Sequence, residues 1–324
     1  MASPLGAARE LVRRAWARAR QRKARPGFHS RFGGLWTDRA DALDELERRR
    51  ARGAVSSEDA ERLRAWIHDG FWIEKGAVPE PLLARLEADL AQLVRDRERR
   101  PIVEIAGSYE RLGPASPGTH VKLVDAYALA HSALEAAFAE RVQRFLRLVL
   151  EDDALLFQSL SFERGSEQPV HQDTAYVVVS PPLEFLASWI ALEDVRAGSG
   201  ELVYYPGSHR LPDHVFRGGG KNWNRERDGE AEQERYHREL LERCAAHGLA
   251  PATFLPARGD VLFWSADLAH GGSPIRNPGL TRRSLVCHYC PARATPYYFH
   301  HRATNRSVLS FANGCLYASS HYEL

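Results

Sequence analysis

The sequence has few cysteines, little net charge and no long apolar run. Its four cysteines, Cys244, Cys287, Cys290 and Cys315, are too few for a disulfide framework in 324 residues. This favours a reducing, cytoplasmic setting. The formal net charge is only +2, which does not support a basic nucleic-acid-binding protein. No apolar run approaches the roughly 20 residues that span a bilayer, so no transmembrane segment is expected. Nothing in the sequence indicates an oligomeric state.

Lysine is also scarce, and nearly all of the 44 basic side chains are arginine. The N-terminal stretch 7–25 is rich in arginine and almost free of acidic residues. Such a stretch is typical of a surface-seeking or targeting amphipathic helix, or of a solvated basic tail. Residues 1–30 are therefore interpreted as a basic N-terminal tail or helix. Residues 31–324 are expected to form a single domain, because no linker rich in Pro, Gly or Ser divides them.

The first part of this domain, up to about residue 153, is predicted to be mainly helical. Apolar residues at helical spacing predict helices over 57–69, 79–94 and 132–149. Ser132 and Glu135 have the spacing of a capping box at the start of the third helix. A brief strand is predicted at 71–73.

From about residue 154 to 290 the pattern changes to short β-branched and aromatic segments separated by turn residues. Strands are predicted at 155–162, 170–179, 185–192, 201–205, 252–255, 260–264 and 282–289. Short strands with this punctuation suggest a sandwich or a jelly roll. Cys287 and Cys290 are three residues apart on the last segment, so their sulfurs are expected on opposite faces, which argues against a zinc or redox pair.

A long polar insertion, residues 211–250, interrupts the strand-rich core. It contains a glycine-rich stretch at 218–224 and a charged helical stretch at 230–246, where His237 is expected to be exposed. Long insertions in compact domains are usually functional or mobile, and a lid that excludes water from a reactive site is one such role. Residues 291–324 are interpreted as a C-terminal extension.

The most informative motif is His171-Gln172-Asp173, followed about a hundred residues later by His270. On a strand, residues i and i+2 project to the same face, so His171 and Asp173 are expected to lie side by side. A distant His270 then completes two histidines and one carboxylate, the ligand set of non-haem Fe(II) oxygenases with open coordination positions. Gly271 and Gly272 beside His270 would permit close approach to a bound group.

Arg282, twelve residues beyond His270, can pair bidentately with a carboxylate. Its neighbour Arg283 is the competitor for this role. On strand parity Arg282, Ser284, Val286 and His288 share one face, so only one of the two arginines can enter the core.

These segments together resemble the phytanoyl-CoA dioxygenase family of Fe(II)/2-oxoglutarate oxygenases, which also includes ectoine hydroxylase and many natural-product tailoring enzymes. The matching pieces occur in the family's order between about residues 60 and 290. They are Asp69-Gly70-Phe71, His171-Gln172-Asp173, Trp189–Val195, Gly200-Glu201-Leu202, Pro206–Arg210, Gly259-Asp260-Val261, His270-Gly271 and Arg282–Leu285.

The resemblance implies a double-stranded β-helix, that is, a jelly roll with helices along one sheet. It implies that His171, Asp173 and His270 ligate Fe(II) and that Arg282 binds the far carboxylate of the co-substrate 2-oxoglutarate. Lys122 and Trp189 match positions near that co-substrate, although Trp189 can equally be a core aromatic. The implied reaction consumes O₂ and 2-oxoglutarate and releases succinate and CO₂. Asp173 argues against a halogenase, because halogenases lack this carboxylate.

The substrate is expected to be a small molecule. Tyr176, Trp223 and His288 are candidate substrate contacts, and a core role remains open for His288. The polar and aromatic side chains of 211–250 favour a polar or natural-product-type metabolite over a fatty acyl-CoA. The alternatives are an acyl-CoA hydroxylase of the same family and a jelly-roll module that binds a metal or ligand without turnover.

Overall fold

Helices dominate the N-terminal part of the chain, as the apolar spacing predicts. The structure, a computed structural model, describes residues 27–96, 101–105, 108–112, 122–297, 302–303, 307–319 and 322–323. Within these residues the α-helices are α1 (Ala42–Ala51), α2 (Ser57–Asp69), α3 (Glu80–Arg95), α4 (His131–Ala137), α5 (Glu140–Leu150), α6 (Arg225–Asp228) and α7 (Glu230–Ala246).

Helix α2 has the predicted bounds because both of its ends carry local signals. Ser56 caps the first turn by accepting a hydrogen bond from the Asp59 amide, and Gly70 ends the helix with a left-handed φ of 79°. The helix predicted over 132–149 is instead two helices, α4 and α5. The chain turns at Ala139, whose backbone is extended (φ −54°, ψ 148°). The capping-box prediction is also wrong, because Ser132 lies inside α4 and its hydroxyl donates to Asp89 of α3.

The described strands fall mainly after residue 153, with four earlier in the chain. They are β1 (Phe71–Glu74), β2 (Ile102–Ile105), β3 (Ser108–Arg111), β4 (Lys122–Val124), β5 (Ala154–Phe162), β6 (Val178–Ser180), β7 (Leu186–Ala191), β8 (Leu202–Tyr204), β9 (Ala252–Phe254), β10 (Val261–Ser265), β11 (His270–Gly272), β12 (Ser284–Pro291), β13 (Thr295–Tyr297), β14 (Arg302–Ala303), β15 (Val308–Ser310), β16 (Leu316–Ala318) and β17 (Tyr322–Glu323). The sequence indicated neither β2–β4 nor the strands beyond β12.

The large sheet runs in the order β1-β10-β7-β12-β5-β4-β2-β3, with β16 added parallel to β5 and β15 paired to β16. One face of this sheet packs on the helices: Ile190, Phe263 and Leu285 share a core cluster with residues of α2–α5. The other face packs on the small sheet β11-β8-β9, where Trp189 and Leu262 meet Leu202. Two facing sheets with helices outside one of them form the predicted jelly roll.

The strand predicted over 170–179 is wrong as a continuous element. His171 forms an isolated bridge with His270, Asp173–Ala175 is a 3₁₀ turn, and β6 begins only at Val178. The amides of Tyr176 and Val177 both donate to the Asp173 carbonyl, which curls the chain immediately after the motif. The β-branched run that favoured a strand therefore supplies only Val178 and Val179 to β6.

All four cysteines are free and buried. Cys287 packs in the cluster that contains the helices, whereas Cys290 packs with Phe157 and Phe185 on the other side of the sheet. The two sulfurs thus face opposite sides, as expected. Among the described residues, no helix is both long and apolar enough to cross a membrane.

The insertion is packed onto the domain rather than standing away from it. The buried ammonium of Lys221 lies 2.8 Å from Asp213 and 2.6 Å from Asp267, which is outside the insertion. Burial alone lowers the pKa of Lys221, but the two carboxylates outweigh it and hold the pKa above its ordinary value. Ser30, at the end of the predicted N-terminal tail, donates to the same Asp213. The predicted tail before residue 27 lies outside the described residues.

Replacing Lys221 by methionine is therefore expected to destabilise the protein. Two buried carboxylates would lose their cation, and breaking a buried ion pair by removing one partner costs about 3–5 kcal/mol. The free energy of unfolding, measured by denaturant titration, checks this. Lys75→Met is the matched control, because Lys75 is exposed. Equal stability of the two variants would show that Lys221 does not hold the insertion in place.

Candidate metal centre

The site is built from two backbone segments that hydrogen-bond to each other. The amide of His171 donates to the His270 carbonyl at 2.8 Å, and the amide of His270 returns the bond at 2.9 Å. This reciprocal pair places the two imidazoles side by side, with ring centroids 4.5 Å apart. The 3₁₀ turn then brings Asp173 towards both rings. Its Oδ1 lies 3.6 Å from Nε2 of His171 and 3.6 Å from Nε2 of His270.

The hydrogen bonds at Nδ1 direct the Nε2 lone pair of each imidazole towards the site, where Nε2 of His171 accepts a long contact from the Gln168 side-chain amide at 3.4 Å. Nδ1 of His171 faces the Pro169 carbonyl at 2.8 Å, and Nδ1 of His270 faces the Leu268 carbonyl at 2.9 Å. A carbonyl can only accept, so each Nδ1 carries the proton and each Nε2 presents its lone pair. One ligand atom from each of His171, Asp173 and His270 lies within 4.8 Å of the others, and all three residues are buried. This donor set fits a divalent transition metal such as Fe(II).

The protonation states of the site residues also favour metal binding. Burial alone would raise the pKa of Asp173, but the imidazoles of His270, His171 and His288 outweigh it and hold the pKa well below its usual range. Burial lowers the pKa of His270 to about 4. Near neutral pH the site therefore presents an anionic carboxylate and a neutral imidazole, the forms that ligate metals.

Arg282 enters the same cavity, and Arg283 does not. The cavity, about 470 Å³, is lined by His171, Asp173, His270 and Arg282 among others. Arg282 is 2% exposed, and burial lowers its pKa to about 10, so it remains a cation near neutral pH. Arg283 is half-exposed and pairs with Glu87 and Glu193. The parity argument thus placed the two arginines on the correct sides.

Several donors that face this cavity have no partner within the described residues. Nη1 of Arg282 donates to the Gly200 carbonyl at 2.9 Å, but its Nε has no acceptor. The indole N–H of Trp189 is also buried without a hydrogen bond, whereas Nε2 of His288 lies 3.4 Å from Oδ2 of Asp173. Buried polar groups are normally satisfied, so unpaired donors beside a guanidinium fit a ligand rich in acceptor oxygens.

Trp189 and Lys122 are placed differently with respect to the cavity. Trp189 lines it, and its ring centroid lies 5.8 Å from Cζ of Arg282. Lys122 pairs with Glu104 at 2.7 Å on the neighbouring strand. Its Nζ lies 5.2 Å from the ring centroid of Phe162, a cavity residue that Arg282 also approaches. Lys122 therefore borders the cavity across Phe162.

The three candidate substrate residues also differ in where they lie relative to the cavity. His288 lines the cavity, with Nε2 3.4 Å from Oδ2 of Asp173. The ring of Tyr176 packs edge-on against His171 at 5.4 Å. Its hydroxyl is held by Gln233 at 2.9 Å and by His237 at 2.7 Å, both on α7. The indole N–H of Trp223 donates to the Gly229 carbonyl, and its ring packs edge-on against Tyr176 with the centroids 6.4 Å apart.

The expectation that His237 is exposed is wrong, because its ring is half-buried against Tyr176. Helix α7 also supports the central residue of the motif, since the Gln172 amide donates to the Tyr236 hydroxyl at 2.8 Å. Gly271 lines the metal cavity, and it also has a role that was not expected. A Cβ on Gly271 would lie 2.8 Å from the Gln168 carbonyl, so Gly271 allows the backbone of 168–170 to approach.

Sequence reasoning missed Trp264, which holds the carboxylate ligand. Its indole N–H donates to Oδ2 of Asp173 at 2.7 Å, which leaves Oδ1 facing the two histidines. Trp264 lies two residues after Leu262, which packs on the same inner face of β10, so its direction could have been found by alternation. Its hydrogen-bond partner could not be predicted, because nothing in the local sequence links Trp264 to Asp173.

Trp264→Phe is expected to weaken Fe(II) binding by about 10–100-fold, the usual effect of losing a hydrogen bond that orients a metal ligand. Anaerobic equilibrium dialysis with Fe(II) measures it. Trp72→Phe is the matched control, because that indole donates to Glu74 at 2.8 Å, away from the site. Unchanged iron affinity in Trp264→Phe would show that this bond does not orient Asp173.

Fold and site together define a jelly-roll protein whose cavity presents two histidines, one carboxylate and one arginine. The family model described as phytanoyl-CoA dioxygenase (PhyH) matches residues 66–284. The chain belongs to this family, which confirms the resemblance found in the motifs.

Curated relatives match a shorter stretch. The peroxisomal phytanoyl-CoA dioxygenase of Bos taurus is 26% identical over 138 residues, which cover 41% of this chain and 36% of the relative. The probable phytanoyl-CoA dioxygenase of Caenorhabditis elegans is 28% identical over 130 residues, covering 38% and 36%. The chain thus matches little more than a third of the length of these relatives.

Solved structures show the same fold over most of the chain. The α-ketoglutarate-dependent epimerase SnoN from nogalamycin biosynthesis has a TM-score of 0.54 at 19% identity, covering 78% of this chain and 85% of SnoN. EctD from S. alaskensis, solved with 2-oxoglutarate and 5-hydroxyectoine, has a TM-score of 0.50 at 19% identity, covering 73% and 76%. At this level of identity the likeness establishes the jelly-roll fold.

Proposed function

We propose that the protein is an Fe(II)- and 2-oxoglutarate-dependent oxygenase that oxidises a C–H bond of a small molecule. The observation that carries the proposal is the convergence of His171, Asp173 and His270 in one cavity with the buried cation Arg282. Membership of the family and the fold shared with structures that hold iron and 2-oxoglutarate support it. When bound, iron and 2-oxoglutarate supply O₂ activation, and the co-substrate leaves as succinate and CO₂.

The ligand residues are prepared before any metal arrives. In this proposal His171 and His270 bind iron through Nε2, and Asp173 binds through Oδ1. The carbonyls of Pro169 and Leu268 hold the imidazoles in the required tautomer. Such outer contacts keep ligand geometry and basicity suited to the metal.

Arg282 is proposed to hold the far carboxylate of 2-oxoglutarate. Its pairing capacity is unused apart from the Gly200 carbonyl, and a guanidinium matches a carboxylate in two parallel hydrogen bonds. Trp189 is proposed to donate its free indole N–H to the same co-substrate. Lys122 is proposed as a more distant contact, since Phe162 and Glu104 now engage it. The apolar walls around Leu160, Phe162 and Val286 exclude water and strengthen these interactions.

The finer assignments remain part of the proposal. His288, on β12 and 3.4 Å from the Asp173 carboxylate, is proposed as the candidate closest to a bound substrate. Tyr176 is proposed to cover His171, with its hydroxyl held by the insertion, while Trp223 packs the insertion from within. We propose a reducing, cytoplasmic setting on the basis of four unpaired cysteines, and no role in nucleic-acid binding.

Succinate release tests the function. The protein is reconstituted with Fe(II) under anaerobic conditions, mixed with 2-oxoglutarate and oxygenated buffer, and assayed for succinate with and without small-molecule panels. Because the curated relatives are named for phytanoyl-CoA, the panels include CoA thioesters beside polar and apolar metabolites. Iron-dependent succinate formation supports the proposal. Its absence under all conditions, with iron bound, would favour a jelly-roll module that binds ligands without turnover.

A further inference from the structure

A second cleft opens on the side of Asp173 away from the arginine. It has a volume of about 660 Å³, within the size range of small-molecule sites. Its walls come from Val177 and β6 (Val178–Ser180), from the following loop at Pro182, Leu183 and Phe185, and from three segments outside the core sheets. These segments contribute Phe32, the glycine-rich stretch of the insertion and Tyr297. The lining is overwhelmingly apolar, unlike that of the metal cavity.

The cleft lies next to the metal site along the direction of β12. Arg282, two residues before β12, and Val286 and His288 within it line the metal cavity in this order along the chain. The ring of His288 lies 6.5 Å from that of Phe185, which lines the cleft. Thr174, directly after the ligand Asp173, also lines the cleft. The arginine and the apolar cleft therefore lie towards opposite ends of the metal site.

Among the described residues of the lining, the one ionic side chain, that of Lys221, is already paired. The ammonium of Lys221 is bound to Asp213 and Asp267, and the hydroxyl of Thr174 donates to the same Asp267 at 2.6 Å. These groups have no free charge to offer a ligand. The insertion presents to the cleft the backbone of Gly219 and Gly220 and the side chains of Lys221 and Asn222, and the apolar surface comes from the other walls.

We propose that this cleft binds an uncharged, apolar portion of the oxygenase substrate and presents it to the metal across Phe185 and His288. The inference rests on the proposed function and names a substrate class for the same site. A substrate of this class combines an apolar body with an oxidisable C–H bond close to one end. Burial of apolar surface provides its affinity, because the lining offers few polar partners.

The probe for this site is the neutral fluorophore N-phenyl-1-naphthylamine, titrated anaerobically into the wild-type protein with Fe(II) and 2-oxoglutarate bound. We expect binding, and displacement by hexan-1-ol, octan-1-ol and decan-1-ol with affinity rising about fourfold for each methylene, the free energy of burying one CH₂. Free glucose should not displace the probe. Displacement by glucose as effective as by octan-1-ol, or displacement by 2-oxoglutarate itself, would overturn the assignment.

Two substitutions at one lining position locate the probe. Val178→Asp introduces a charge and Val178→Trp fills the volume, so each should lower probe affinity at least about tenfold, given the cost of burying an unpaired charge and of overfilling a packed site. Val308→Asp is the matched control, because Val308 is 57% exposed on β15. Circular dichroism verifies that each variant folds. If a variant does not fold, the alcohol series in the wild-type protein still tests the proposal. Wild-type affinity in both folded variants would refute the proposal.

The two proposals fail in different ways. Consumption of 2-oxoglutarate by the wild-type protein without any probe reports on the proposed function alone. If it is absent while the probe behaves as expected, the cleft is an apolar site but the enzyme assignment falls. If it is present while the probe ignores Val178, the enzyme assignment stands and the apolar substrate class is wrong.

Discussion

Replacing His171 or Asp173 by alanine is expected to abolish succinate formation while the fold is retained. Each replacement removes one of three atoms that converge within 4.8 Å. Loss of an outer-shell contact alone costs about 10–100-fold, so loss of a direct ligand should reduce both iron affinity and turnover by more than about 100-fold. Anaerobic iron dialysis and the succinate assay measure the two effects separately.

The fold should survive because the jelly roll is held by clusters that do not include these side chains. Asp173→Ala also leaves the Trp264 indole without its acceptor, which costs about 1–3 kcal/mol and sets the expected loss of stability. The matched control is His68→Ala, whose ring is exposed on α2. Iron-dependent activity retained in both ligand variants would refute the assignment.

Replacing Arg282 by alanine should raise the 2-oxoglutarate concentration needed for half-maximal turnover by at least about 30-fold. Truncating one partner of a buried, hydrogen-bonded charge pair costs about 2–5 kcal/mol, and each 1.4 kcal/mol is a factor of ten. Arg282→Lys should fall between wild type and alanine, because an ammonium keeps the charge but cannot form the two-pronged contact.

Arg283→Ala is the internal control for this prediction. Its guanidinium is half-exposed and pairs with surface carboxylates, and such pairs contribute about 0–1 kcal/mol. Its 2-oxoglutarate requirement should therefore change by less than about threefold. Iron affinity should be unaltered in all three arginine variants. The opposite ranking of the two alanine variants would show that Arg283 anchors the co-substrate.

The sequence was most informative where a short-range pattern determines direction. Alternation along the last predicted strand separates Arg282 from Arg283, and the buried and half-exposed positions of the two side chains agree with it. The cap residues Ser56 and Gly70 mark α2 at both ends. In each case the determining interaction lies within a few residues of the position it controls.

The convergence of His171 and Asp173 was predicted from strand alternation, and the backbone is extended only that far. Gln172 is extended (φ −105°, ψ 137°) and His171 bridges to His270, but a 3₁₀ turn begins at Asp173. A run of β-branched residues favours extended backbone, yet two amides bonded to the Asp173 carbonyl override that preference. The carbonyl's partners are local, but local propensity does not reveal them.

What remained unpredicted depends on contacts between distant segments. Trp264 reaches Asp173 across 91 residues, and Tyr236 reaches Gln172 across 64. Lys221 is buried only because Asp213 and Asp267 meet it there. Its composition predicts that the insertion is polar and either functional or mobile, and it does not reveal that Lys221 is paired inside the fold. A single sequence carries no signal for such pairings.

The most direct test of the central claim is anomalous diffraction at the iron edge from crystals grown anaerobically with Fe(II) and 2-oxoglutarate. The account predicts one iron peak bound by Nε2 of His171, Oδ1 of Asp173 and Nε2 of His270, with the far carboxylate of 2-oxoglutarate on Arg282. An iron peak at any other position, or a co-substrate carboxylate held by Arg283 instead, would contradict it.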